Sequence, residues 1–359
     1  MKKLLGIFLV ILVVSVFVFG SCAAPVSTPP PSPSVPAPGS TPLSVQPSTP
    51  TQTPKAKQIE WKAISMFKVD DPTSWQIKEL VERINKRSNG ELFIDFLGGP
   101  EVIPYDDQTA ALMNGVVDLA FNNPVNVAKP TGVKELQAFG MYDNFKISPM
   151  DLRERGVYVL LNELLETSNL MWIGSSMTKS GHFLASNKKV ETLEDFKGMK
   201  IRSWPAIVDL VQGLGAVPVS MPPGDAYTAL ERGTVDAAGT SHPAWISLHW
   251  YEVVKYGITD TVATRAGGNF VNLSSWNKLP ENLRTLILDT QIEMEKVDIP
   301  KYCTEEVDQV INTLKENGME FIDIKPLGAL TEFAFKIHWD KLAGDCPEYG
   351  PQLKEMLTP

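Results

Sequence analysis

The chain has 359 residues, 43% of them hydrophobic, 28 prolines and a net charge of −9, enough for two ordinary domains and a tail. The acidity argues against nucleic acid or an anionic lipid surface as a partner. No Walker loop, G-x-S-x-G or H-E-x-x-H occurs, so neither a cofactor nor a metal is expected.

Residues 1–21 carry Lys2 and Lys3, an apolar run from Leu4 to Phe19, and Gly20-Ser21 before Cys22, which predicts a secretory signal peptide with lipidation at Cys22. The alternative is a spanning helix, but a polar segment follows at once and no later apolar stretch reaches spanning length. Residues 22–57 are mostly Pro, Ser, Thr and Ala and read as an extended tether, at about 3.1 Å per residue. The membrane is then contacted through the anchor alone.

After the tether, Trp61 to Met66 reads as a strand, Thr73 to Lys86 as an amphipathic helix and Leu92 to Leu97 as a second strand. Asp107-Gln108-Thr109-Ala110-Ala111-Leu112-Met113-Asn114-Gly115-Val116-Val117-Asp118-Leu119-Ala120 then predicts a short helix, a glycine that ends it and a buried strand. Leu152 to Leu165 is helical in period, and Ile173 and Phe183 to Ala185 look like strand pieces where the chain crosses between lobes. Met199 to Arg202, Ala206 to Gly213 and Val217 to Ser220 repeat the strand, helix, strand order.

The earlier helix-glycine-strand stretch then recurs as Asp225-Ala226-Tyr227-Thr228-Ala229-Leu230-Glu231-Arg232-Gly233-Thr234-Val235-Asp236-Ala237-Ala238. Two such units predict an α/β fold of two lobes, a periplasmic-binding-protein-like architecture with a hinge and an inter-lobe ligand cleft. Residues 58–180 would form the first lobe, completed by parts of 268–359. Residues 181–267 would form the second, completed by about 308–330. Asn269 to Ser274 reads as a strand, Glu281 to Leu314 as a long helix interrupted at Pro300, Met319 to Ile324 as a strand and Leu330 to Leu342 as a helix.

Thr192-Leu193-Glu194-Asp195-Phe196-Lys197-Gly198-Met199-Lys200-Ile201-Arg202, then Leu214-Gly215-Ala216-Val217-Pro218-Val219-Ser220-Met221-Pro222, then Ala229-Leu230-Glu231-Arg232-Gly233-Thr234-Val235-Asp236 resemble blocks of the solute-binding proteins of TRAP (tripartite ATP-independent) transporters, of the dicarboxylate-binding-protein type. The resemblance implies an extracytoplasmic receptor that closes on a small organic acid and delivers it to a membrane carrier. It also implies that Arg202 clamps the carboxylate, which suits a bidentate, permanently charged donor. Many relatives carry a second Arg where this chain has Ser180-Gly181-His182, which favours a monocarboxylate unless His182 substitutes.

Ligands of such sheets gather beyond the carboxyl ends of strands, which nominates Phe67 and Trp245 as apolar walls and Asn123, Met221, Ser241 and His242 as further lining. Cys303 and Cys346 are candidates for a disulfide, with two unpaired buried thiols as the equal alternative. A lipid-anchored serine acyl-hydrolase using Ser176 and Lys179 of an S-x-x-K sequence, and the binding protein of an ATP-driven importer, are the competing functions.

Overall fold

In the computed structural model, which describes residues 58–359, the chain lays its strands into two sheets. β1 (Ile59–Ser65) buries Trp61, Ala63 and Ile64 and leads into a turn where the Asp71 carboxylate accepts the Thr73 N–H at 2.7 Å. α1 (Trp75–Arg87) follows, burying Ile77, Leu80, Val81 and Ile84 along one stripe. β2 (Leu92–Gly98), α2 (Gln108–Met113), β3 (Leu119–Asn122), α3 (Pro124–Thr131), α4 (Pro149–Glu154), α5 (Val157–Leu165) and β4 (Leu170–Ser175) come next. The chain then forms β5 (Gly181–Ser186), β6 (Lys200–Ser203), α6 (Val208–Gly213), β7 (Val217–Ser220), α7 (Ala226–Glu231), β8 (Ala237–Thr240), α8 (His242–Ser247), β9 (Tyr256–Ile258) and β10 (Ala263–Thr264). It ends with β11 (Gly268–Asn272), α9 (Leu273–Asn277), α10 (Glu281–Lys296), α11 (Asp298–Glu316), β12 (Glu320–Ile322), α12 (Ala329–Asp345) and α13 (Gly350–Met356).

The first sheet has the order β2-β1-β3-β11-β4, with β11 antiparallel to both neighbours. The second runs β12-β9-β5-β8-β6-β7, with β10 beside β5. The fold is thus α/β and two-lobed, and each sheet is packed on both faces: the four apolar clusters each contain strand residues, Ile64 and Phe270, Ile94 and Val271, Leu184 and Ile201, and Phe183 and Ala238.

The repeated stretches build the same device twice. Gly115 and Gly233, at φ +70 and +66, end α2 and α7 in the left-handed conformation that only glycine adopts without strain. Three residues on, Asp118 accepts the backbone N–H of Lys62 at 2.8 Å and returns its own N–H to the Lys62 carbonyl. Asp236 does the same with Lys200, at 2.8 and 2.7 Å. Each Asp therefore locks its strand against the parallel neighbour.

β4 is fastened from behind. The fully buried Glu295 of α10 accepts the Ser175 N–H at 2.8 Å and the Tyr158 hydroxyl at 3.3 Å, and pairs with Arg153.

The structure corrects three local expectations. The long helix breaks at Val297 rather than at Pro300, which sits in the first turn of α11, where a missing N–H leaves no helical bond unmade. The strand expected over 269–274 ends at Asn272, whose side chain accepts from the Ser275 N–H and starts a helix. Cys303 and Cys346 are both free and buried, and they belong to different apolar clusters, so the disulfide is not formed. The leader, the Cys22 anchor and the tether lie outside the described residues.

Candidate functional site

Arg202 is the third residue of β6, paired with Val219 of β7 and Ala238 of β8. Its Nε donates to the Met221 carbonyl at 3.0 Å and its Nη1 to the Gly239 carbonyl at 2.6 Å. The guanidinium carbon lies 5.7 Å from the centre of the Trp204 ring. The residue is 5% exposed, yet among the described residues no carboxylate pairs with it and Nη2 finds no protein acceptor. Burial alone acts on its pKa, and lowers it. Two main-chain carbonyls thus fix the fork in place while leaving its charge unanswered.

His182 of β5 stands 5.1 Å from the same Trp204 ring, and its buried Nδ1 has no partner. Burial, and then the fields of Arg265 and Arg202, pull its pKa to about 3. The imidazole is therefore neutral at physiological pH and does not substitute for a second Arg.

Arg265 supplies a guanidinium that sequence reasoning missed. It follows β10, lies over the Phe67 ring at 5.6 Å, and donates from Nη2 to the Thr73 hydroxyl at 3.0 Å. Its charge is partly answered by Glu306 of α11, 3.5 Å away. Phe67, 6.0 Å from Phe121, brings the first lobe to this cluster. The arrangement is one open guanidinium, one committed guanidinium, a neutral imidazole and two aromatic faces. It can hold an anion against an apolar body.

The remaining nominated residues are placed differently. Asn123 caps α3 by accepting the Val125 N–H at 2.9 Å, and Ser241 is buried at the turn before α8. Met221 serves through its carbonyl. His242 stacks on Phe183 at 3.9 Å, on the opposite face of β5 from His182, because successive strand residues alternate. Trp245 is 0% exposed and packs edge-on to His242, so it is a core residue and not a wall of the Arg202 cluster. Ser176 and Lys179 are not assembled as a catalytic pair: the Ser176 hydroxyl accepts from Asn269, and the Lys179 ammonium donates to Thr304. The described residues contain no group of three or more His, Cys, Asp or Glu that could hold a metal.

Two α/β lobes, joined by segments of chain that pass between the sheets and carrying a buried unanswered cation beside strand ends, define an extracytoplasmic solute receptor. Residues 65–329 match the bacterial extracellular solute-binding proteins, family 7 (DctP), and the chain belongs to that family. A solute-binding protein of Albidiferax ferrireducens is 26% identical over 255 residues, covering 69% of this chain and 74% of its own. The crystal structure of a TRAP periplasmic solute-binding protein from Ochrobactrum anthropi superposes with a TM-score of 0.73 at 23% identity, covering 84% and 95% of the two chains. That of a TRAP periplasmic protein from Desulfovibrio salexigens, with bound orotic acid, gives 0.68 at 18% identity, covering 84% and 97%.

Proposed function

We propose that this chain is the receptor of a TRAP-type carrier, binds a small organic acid and releases it unaltered. The observation that carries this reading is the 5% exposed Arg202 with no carboxylate partner among the described residues. An uncompensated buried charge is costly, by several kcal/mol, and a structure keeps one where a ligand completes it. The Desulfovibrio salexigens relative, with orotic acid bound, supports an acid as the guest.

The guest is a monocarboxylate with an apolar or ring-shaped body. Arg202 answers the carboxylate, Arg265 is partly engaged by Glu306, His182 is neutral, and Trp204 and Phe67 offer faces rather than charges. Delivery follows from lipid attachment at Cys22, which tethers the receptor near its carrier.

The test is calorimetry of the purified protein against matched mono- and dicarboxylates, with product analysis of each mixture. Saturable heat without turnover, favouring the monoacids, is expected. Conversion of an acid or ester would sink the receptor reading, and a preference for dicarboxylates would sink the monoacid assignment.

A further inference from the structure

On the far side of β5 from His182 lies a cavity of about 960 Å³. Its wall includes Phe145, Phe183, Val307, Ile311, Phe321 and Leu327, drawn from the loop after α3, from β5, from α11 and from the segments around β12. Phe145 and Leu327 are 42% and 73% exposed, so large apolar surface stands in the opening uncovered by the described residues. The volume is at the upper end of small-molecule sites.

Most polar groups of this wall already have partners in the protein, the buried Nε2 of His242 being without one among the described residues. Asp143 pairs with Lys146 at 3.0 Å and Glu306 with Arg265. The Thr259 hydroxyl donates to Asp323 at 2.6 Å, and the Thr331 hydroxyl to Asp260 at 3.1 Å. The Lys179 ammonium rests on Thr304, and that of Lys315 over the Phe321 ring at 5.8 Å. The wall charges without an ion pair among the described residues, Lys179, Lys315 and Glu332, are of both signs and single out neither an anion nor a cation. The cavity therefore rewards removal of apolar surface from water and asks for no formal charge.

We propose that this cavity is a second binding site, which takes an uncharged, largely apolar small molecule of aromatic or alkyl type. It is distinct from the Arg202 cluster, since Arg202, His182, Trp204 and Phe67 do not line it, although Glu306, the partner of Arg265, belongs to its wall. Its occupant touches the chain where Lys179 and Ser180 carry it from one sheet to the other.

The test uses N-phenylnaphthylamine, an uncharged fluorophore that brightens in apolar surroundings, with the mature protein. Saturable one-to-one binding is expected, unchanged in Arg202→Met and weakened about tenfold or more in both Ile311→Glu and Phe145→Ser. Phe145 is loop-borne and exposed, so that variant keeps its melting temperature and reports on the cavity rather than on folding. The sulfonated analogue, anilinonaphthalene sulfonate, should bind at least about tenfold more weakly. Absence of saturable binding, or binding unmoved by both cavity variants, would overturn the site. Loss in Arg202→Met would assign the probe to the acid cluster and overturn it equally. Preference for the sulfonate would overturn the uncharged ligand class.

Discussion

The Nε–H of Arg202 is held by the main-chain carbonyl of Met221 at 3.0 Å, so the guanidinium is aimed by the backbone of the neighbouring strand and not by a counter-charge. Removing that side chain takes away a buried, unanswered charge together with its two carbonyl bonds, terms of opposite sign. Arg202→Met should abolish acid binding in calorimetry while shifting the unfolding free energy of the ligand-free protein by only about 1 kcal/mol. Arg202→Lys keeps the charge but loses the fork, and should bind at least about tenfold more weakly. Unchanged affinity in either variant would remove Arg202 from the site.

Glu306, 3.5 Å from Arg265, sets how much positive charge a guest meets. Glu306→Gln should release the second guanidinium and raise affinity for succinate relative to butyrate by about tenfold, a rim-charge effect of ordinary size. An unchanged ratio would show that Arg265 does not face the guest.

Asp236 couples the second lobe to pH. Burial works to raise its pKa, but the Lys188 ammonium and the Lys200 N–H outweigh it and hold the group below its ordinary value of 3.8. A depressed carboxylate contributes stability above its unfolded pKa and loses it as pH falls through the folded one. The stability advantage of the native chain over Asp236→Asn should therefore be full near neutral pH and shrink below about pH 4. Urea titrations at several pH values decide this; an advantage that grew on acidification would contradict it.

Glu295 should be the costliest single carboxylate to delete. Its side chain is 0% exposed and serves Arg153, Tyr158 and the Ser175 N–H at once. Glu295→Ala should lower the unfolding free energy by about 3 to 5 kcal/mol, since it strands a partly buried cation and an amide. A loss under about 1 kcal/mol would mean that water replaces the carboxylate.

Burial raises both thiols, Cys303 and Cys346, to a pKa of about 11. Iodoacetamide should leave both unlabelled in the native protein and modify both in urea, read by peptide mass spectrometry, and a reductant should not move the melting temperature. A native Cys303–Cys346 crosslink would contradict the structure.

Local patterns made much of this fold legible. A helix, a glycine and an apolar strand closed by Asp are all contiguous in sequence, so the two copies around Asp118 and Asp236 could be read directly. Arg265 could not. Its meaning depends on Thr73 and Glu306, which come from opposite ends of the described chain, and Ala-Thr-Arg-Ala around it carries no periodicity. Trp245 misled for a related reason: an aromatic five residues after Thr240 and close to a strand end suits a cleft wall or a core equally, and only the orientation of α8 decides.

β11 lies between β3 and β4, though strands of the other sheet, β5 through β8 among them, are synthesised before it. An emerging polypeptide therefore cannot close its first sheet on the ribosome until nearly all of the second has been translated. Both halves are thus completed late, the first with β11 at Asn272 and the second with β12 at Ile322, and the chain stays unfinished through most of its synthesis.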